Sequence, residues 1–232
     1  MATVAAMLLV AAVIGLAAPQ VHAQDQPDIL MIAVDDLRPM LGCYGVEYMH
    51  TPNIDRLAQR SILFERAYCQ NAKCGPSRLS LMTGLRPDSV GVFSNTKKHV
   101  QAFRERRPDA VSIAHWLKRH GYDTRSFGKI DHDGWQIQSD WSVPPSPGRD
   151  REMWEVVDAD NPNKPTLIAD RHDCPAIQSP DVPDTHLYAG RMTQQVIAAM
   201  RERDTDKPMF FAVGYRRPHL PFVAPKRYFD LY

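Results

Sequence analysis

The sequence predicts an α/β fold in which a mostly parallel central sheet is flanked by helices. Residues 28–34 (DILMIAV) form a run of apolar, mostly branched side chains, which is typical of a parallel strand covered on both faces. Residues 122–127 and 209–213 are two further strand-like segments, and segments with helical spacing lie between the three. Strands that alternate with helices along a chain indicate this fold class.

Length and charge narrow the class of protein. A chain of 232 residues is long enough for one large domain or two small ones with a substantial core. Its 28 basic and 27 acidic side chains nearly balance, and no basic block is present, so nucleic acid is not an expected partner. The 19 prolines concentrate in two regions, which predicts long irregular loops around a regular core.

The first 23 residues are predicted to be a secretory signal peptide. Residues 3–18 carry no charge, and Val21-His22-Ala23 fits a signal-peptidase site, although no Lys or Arg precedes the apolar run. A membrane anchor is the alternative, but the run is short for a span of ~20 residues. We therefore expect cleavage after Ala23, a secreted or periplasmic protein, and no stable membrane insertion afterwards.

Four cysteines, Cys43, Cys69, Cys74 and Cys174, do not define a disulfide framework. Export makes disulfides possible, but the spacing of these residues matches no common zinc pattern and fixes no pairing. Disulfide pairing is therefore left open.

The elements of the first half follow from local signals. Residues 37–45 form a loop marked by glycine and proline, and a helix is predicted over 51–58 with Thr51 as N-cap and Pro52 at its first position. Ile54, Leu57 and Ala58 would form its apolar stripe. Residues 62–68 resemble a strand. A short helix is predicted over 76–82, with Gly84 as its C-terminal stop.

The second half is less regular. An amphipathic helix is predicted over 111–120, ended by Gly121, and it leads into the strand 122–127. Residues 133–183 show no sustained period and are predicted to form a long surface loop or small subdomain. Helical spacing returns over 184–203 before the buried strand 209–213.

Polar side chains cluster where the predicted strands end. Asp35 and Asp36 follow the first strand, Lys129 and His132 follow a later one, and His219 follows the last. Ligands of open α/β sheets bind at the carboxyl ends of the strands. An isolated Asp-Asp pair favours a solvated turn or a helix cap, but a long buried strand before it favours two carboxylates that share a hard cation such as calcium.

The segment CGPSR, residues 74–78, is the most specific motif in the chain. It resembles the signature of the type I sulfatases, in which the cysteine is oxidised to formylglycine. Further blocks occur in the order found in the iduronate-2-sulfatase branch of that family. They are VDDLRP (34–39), LGCYG (41–45), TPNID (51–55), TGLRPD (83–88), GY (121–122) with GK (128–129), and AVGY (212–215) with RPH (217–219). This resemblance implies an alkaline-phosphatase-like fold, with residues 24–232 forming the N-terminal part of a sulfatase catalytic domain.

The resemblance implies a role for each matching residue. Cys74, converted to formylglycine, would be the nucleophile, and Asp35, Asp36 and the residue at 74 would bind one calcium ion. Arg78 would stabilise the hydrated aldehyde, Lys129 would bind sulfate, His132 would orient the formylglycine or accept its proton, and His219 would contact sulfate or protonate the leaving alcohol. The residues that match the family in this way are Asp35, Asp36, Cys74, Arg78, Lys129, His132 and His219.

The implied function is hydrolysis of sulfate esters on a sulfated polysaccharide or glycosaminoglycan. The expected partners are this sulfated carbohydrate and, during maturation, the formylglycine-generating enzyme. The later Asp-His-Gly block of the branch and a further sulfate-binding lysine do not occur before Tyr232, so a truncated, inactive sulfatase fragment is the alternative. A phosphate-ester hydrolase of the same superfamily is disfavoured, because those relatives use Ser or Thr with two zinc ions.

Overall fold

The computed structural model describes residues 26–132, 137–145, 155–157, 165–167 and 175–232. Its central sheet has three parallel strands, β1 (Ile29–Val34), β2 (Asp123–Gly128) and β6 (Met209–Tyr215), in the order β1–β6–β2. The predicted fold class and all three strands are confirmed, with β6 two residues longer than expected.

Helices and short strands surround this sheet. The helices are α1 (Pro52–Ala58), α2 (Cys74–Thr83), α3 (Pro87–Val90), α4 (Lys97–Arg106), α5 (Ile113–Arg119), α6 (Tyr188–Glu202) and α7 (Lys226–Phe229). Short 3-10 helices occupy Gly42–Tyr44, Gln138–Asp140 and Asp184–His186. Two small sheets pair β3 (Glu155–Val157) antiparallel with β4 (Pro165–Leu167), and β5 (Ile177–Gln178) parallel with β7 (Phe222–Val223).

The core lies on both sides of β6, whose residues are buried except for the last. One cluster packs Phe210 and Ala212 against Leu117 of α5, together with Trp141. A second cluster packs Val213 against α6. Strand β6 is therefore the central strand among the described residues.

Strand β1 differs from the prediction, because it is not covered on both faces. It pairs with β6 through the register Ile29 to Phe210, and within the described residues no strand pairs with its other edge. Leu30 is 41% exposed and Ile32 55% exposed. The apolar run correctly indicated a parallel strand, but its position at an edge leaves alternate side chains uncovered.

The prediction of a strand between α1 and α2 is wrong. Residues 62–68 form no strand, and Ile62 is 83% exposed. The apolar stripe of α1 is not buried, since Ile54 and Leu57 are both exposed. Thr51 precedes α1 as expected, but its hydroxyl makes no cap; it accepts from the Gly42 amide at 2.9 Å instead. These segments have alternating or helical patterns but no described partner that buries them.

The helices that flank the site begin and end at recognisable residues. Helix α2 ends at Gly84, which has the left-handed φ of 70° expected of a C-terminal glycine. Helix α5 starts two residues later than predicted, because Ser112 caps it by accepting from the His115 amide at 3.1 Å. Helix α4 was not predicted.

The predicted signal peptide, residues 1–23, and Cys174 lie outside the described residues. The other three cysteines are free thiols. Among the described helices, none combines the length and the hydropathy needed to cross a bilayer.

Candidate active site

Two adjacent carboxylates end β1 and point into different environments. The Asp35 amide continues the ladder by donating to the Tyr215 carbonyl at 2.9 Å. Asp36 then adopts a φ of 57°, the left-handed region that Asp tolerates better than most residues. The chain turns sharply there, so Asp35 is buried while the Asp36 side chain is 62% exposed.

The buried carboxylate of Asp35 binds two cations from other elements. Its Oδ1 accepts from Arg78 Nη2 of α2 at 3.2 Å, and its Oδ2 accepts from Lys129 Nζ, just after β2. Burial opposes ionisation of Asp35, but the hydrogen bonds and charges of Lys129 and Arg78 outweigh it and hold its pKa below the ordinary value. All three side chains are buried, which makes the cluster a fixed arrangement of charge.

Arg78 also ties α2 to the end of β2. Its Nη1 donates to the carbonyl oxygens of Lys129 and, at 3.2 Å, of Ile130. The planar fork of the guanidinium suits this task, because it presents several donors in fixed directions. Arg78 thus positions the backbone next to Lys129 as well as the Asp35 carboxylate.

Cys74 is the first residue of α2, one helical turn before Arg78. Side chains four residues apart lie on the same face of a helix, so the CGPSR spacing aligns these two. The N-terminus of this ten-residue helix places a partial positive charge near residue 74, although Pro76 has no N–H and the Gly75 amide already donates to Asn95 Oδ1. Cys74 Sγ accepts from Asn95 Nδ2 at 3.2 Å, a contact that the sequence did not predict.

The two predicted histidines follow the ends of β2 and β6. His219 Nε2 lies 4.0 Å from Asp36 Oδ2, and His219 Nδ1 lies 2.7 Å from the Leu220 carbonyl oxygen. Because a carbonyl oxygen can only accept, the proton of the neutral ring is on Nδ1. His132 is partly buried, three residues after Lys129. The structure therefore joins Asp35 with Arg78 and Lys129, and brings His219 near Asp36.

Comparison with known proteins places this arrangement in a family. A family model described as Sulfatase matches residues 27–232. The chain belongs to the sulfatase family. It is 37% identical over 219 residues to iduronate 2-sulfatase of Mus musculus and 38% identical over 218 residues to that of Homo sapiens. A sulfatase of Formosa agariphila is 31% identical over 218 residues.

This chain matches only part of the length of each of these relatives. The matches cover 90% of this chain but 38% of each iduronate 2-sulfatase and 42% of the Formosa protein. The chain therefore spans well under half the length of these curated relatives.

Solved structures agree on the fold. The phosphonate monoester hydrolase of Agrobacterium radiobacter superposes with a TM-score of 0.60 at 23% identity, over 89% of this chain and 44% of that one. A protein solved in complex with its substrate D-glucosamine-2-N,6-O-disulfate superposes with a TM-score of 0.55 at 20% identity, over 83% of this chain and 35% of that one. The predicted alkaline-phosphatase-like fold of this sulfatase is confirmed.

The predicted calcium ligands of the sulfatase do not form a metal site in the part of the chain that the structure describes. No group of three or more His, Cys, Asp or Glu side chains lies close enough there to hold an ion. Carboxylate oxygens are suitable calcium ligands, but both oxygens of Asp35 already accept from cations. Two carboxylates also fall short of the six to eight oxygens that calcium takes. The described residues alone do not fit the ion.

A cavity of about 290 Å³ lies between α2, α4 and the loop that precedes α5. Asp131 lines it, together with Asp140, Arg104 and Arg107. Burial raises the pKa of Asp131 to about 6, with Asp140 adding to the rise and Arg78 and Arg104 opposing it. Sequence reasoning missed Asp131 because no local pattern distinguishes it from a solvated loop residue.

Proposed function

We propose that the sulfatase chain carries the nucleophile and sulfate-binding side chains of a sulfate-ester hydrolase. The observation that supports this most directly is the link from CGPSR to the strand ends: Cys74 begins α2, and Arg78, one turn later, binds both Asp35 and the backbone at Lys129. The 37–38% identity to iduronate 2-sulfatases supports a sulfated polysaccharide or glycosaminoglycan as the substrate class.

In this proposal Cys74 is converted to formylglycine by a formylglycine-generating enzyme. The hydrated aldehyde would supply an oxygen nucleophile for sulfur, and its second hydroxyl would then expel sulfate and restore the aldehyde. The N-terminus of α2 would favour the anionic sulfate through the partial positive charge of the helix dipole. Conversion would therefore place the reactive oxygen at the positive end of the α2 dipole.

The cationic side chains would bind and orient the sulfate. Lys129 is buried with its ammonium on Asp35, so it supplies a charge with little freedom to move. Arg78 donates to Asp35 and to the carbonyl oxygens of Lys129 and Ile130, so it helps to hold Lys129 in position. We assign Arg78 to stabilise the growing charge near residue 74 with its remaining donor capacity.

The two histidines would move protons. His219 Nε2 lacks the proton in the tautomer that its contact with Leu220 fixes, and it faces Asp36 at 4.0 Å. Protonation of this nitrogen would let it donate to the departing alcohol. His132, beside Asp131, would orient the formylglycine or accept its proton.

Calcium stays a prediction from the resemblance, with Asp35, Asp36 and the residue at 74 as its expected ligands. Asp35 is already bound by two cations, so the described residues do not form this site by themselves. Because the described residues offer too few oxygens for calcium, we predict that the chain by itself has no appreciable sulfatase activity. Calcium-dependent turnover of an aryl sulfate by this chain would contradict that prediction.

Mass spectrometry of tryptic peptides tests the proposal directly. Trypsin releases CGPSR, residues 74–78, and formylglycine would lower its mass by about 18 Da relative to cysteine. The peptide that contains Cys69 serves as the control, because it must keep its thiol mass in the same digest. An unmodified Cys74, in a host that converts other sulfatases, would refute the proposed nucleophile.

A further inference from the structure

Asn95, in the loop between α3 and α4, contacts the first two residues of α2. Its Oδ1 accepts from the Gly75 amide at 3.0 Å, and its Nδ2 donates to Cys74 Sγ at 3.2 Å. The side chain is partly buried and lies twenty-one residues from Cys74 in the sequence. One amide group therefore contacts both the reactive residue and the backbone that follows it.

The hydrogen bonds fix which way this amide faces. A backbone N–H can only donate, so the atom opposite Gly75 must be the oxygen of Asn95. The nitrogen then faces Cys74 Sγ and presents a donor to it. The orientation follows from the Gly75 contact alone and needs no assumption about Cys74.

The loop around Asn95 is held on its C-terminal side by the start of α4. Thr96 precedes that helix and its carbonyl accepts from the His99 amide at 3.0 Å, while the hydroxyls of Ser94 and Thr96 lie 3.1 Å apart. The Phe93 amide is 3.4 Å from His99 Nδ1. Asn95 is thus placed by local contacts on both of its sides rather than by Cys74 itself.

We propose that Asn95 is a positioning residue for the reactive side chain at 74. Sγ marks the place of the atom bonded to Cβ, and under the proposed function an aldehyde or hydroxyl oxygen takes that place. An N–H donor there holds the substituent in one rotamer and favours negative charge on it. The simpler alternative is that Asn95 only satisfies one of the free N–H groups at the start of α2.

Two substitutions separate these roles. Asn95→Asp keeps an oxygen that can accept from Gly75 but replaces the donor with a negative charge, whereas Asn95→Ala removes both functions. Asn53→Asp is the matched control, because it makes the same change at an exposed position of α1. All variants are made as the full 232-residue chain without the converting enzyme, so that residue 74 remains a thiol.

The readout is the rate of iodoacetamide alkylation at one fixed pH, followed cysteine by cysteine in the tryptic peptides. We expect Asn95→Asp to slow alkylation of Cys74 about tenfold and Asn95→Ala about threefold, since a donor to a developing charge is lost. Cys43 and Cys69 are internal references and should change less than about twofold. The Tm of Asn95→Asp should stay within about 3 °C of the parent, because the contact with Gly75 is retained.

The added charge of Asn95→Asp would by itself slow alkylation, so Asn95→Ala decides: parental reactivity of Cys74 in Asn95→Ala would reduce Asn95 to a helix cap and overturn the proposal. An equal change in the alkylation rate of all three cysteines would indicate a global effect and would also overturn the proposal. The measurement uses the thiol, so a failure to find formylglycine would refute the proposed function without deciding the role of Asn95.

Discussion

The buried charge cluster predicts that losing its acid and losing its lysine destabilise the protein to different extents. At about pH 5, where Asp131 with its pKa of about 6 is mostly protonated, the cluster contains one anion, Asp35, and two cations, Arg78 and Lys129. Asp35→Asn leaves the two buried cations beside each other with no counter-charge. Lys129→Met leaves Asp35 paired with Arg78, so no unpaired charge remains. Removing the acid should therefore destabilise the protein more than removing the lysine.

The distances set the scale of this difference. At an effective dielectric constant of about 20, unit charges at the 3.2 Å between Arg78 Nη2 and Asp35 Oδ1 interact by about 5 kcal/mol. Desolvation offsets much of such an attraction in the intact pair, but removing one partner leaves that desolvation uncompensated. We expect Asp35→Asn to lower the free energy of unfolding by about 3–5 kcal/mol and Lys129→Met by about 1–2 kcal/mol.

Urea unfolding followed by far-UV circular dichroism measures both variants and the double variant in one buffer. The double variant should lose less than the sum of the two single losses, because the lysine is no longer present to be left unpaired. A Lys129→Met variant that loses as much stability as Asp35→Asn, or more, would refute the reasoning that unpaired buried charge determines the cost.

Three further predictions follow from single contacts. Asp131→Asn should stabilise the protein by about 1–3 kcal/mol at pH 7, because the raised folded-state pKa of Asp131 costs the parent stability as pH rises toward 6. Below about pH 4 the two proteins should be equally stable, and a stability gain in urea titrations that does not depend on pH would contradict this. Ser112→Ala should cost about 1–2 kcal/mol in thermal unfolding, since it removes the cap of α5 and a 2.7 Å bond to Asp140; an unchanged Tm would show that water replaces the hydroxyl. Gly214→Ala should lower the free energy of unfolding by about 3 kcal/mol or more, because the alanine Cβ would lie 1.8 Å from the Lys129 carbonyl oxygen. A soluble variant that elutes like the parent on gel filtration would argue against that close approach.

The sequence predicted the fold best where local signals and burial agree. Strand β6 and helix α2 were expected because apolar runs end at clear stops, such as Gly84. Residues 62–68 were expected as a strand for the same reason and are not one, since a strand also needs a neighbouring partner that no local pattern reveals. The exposure of Leu30 and Ile32 was missed for the same cause, because edge and central strands have similar runs.

Sequence reasoning named Asp35, Arg78 and Lys129, which the structure joins, but it did not predict how they pair. The contact of Asp35 with Arg78 and Lys129 joins three distant segments, and only the expectation that strand ends converge suggested it. Asn95 had no such signal, because an asparagine before a helix is an ordinary cap or turn residue. Its role depends on a side-chain contact twenty-one residues away, which the sequence does not specify.

The open side of β1 has a practical consequence for handling the protein. A strand whose outer edge pairs with nothing in the described part of the chain, and whose Leu30 and Ile32 face solvent, offers backbone donors and acceptors to any similar strand it meets. Encounters between copies grow with the square of concentration, so clear dilute samples should become turbid on concentrating. A lysine at position 32 would break the apolar pattern and lengthen the shelf life of concentrated stocks.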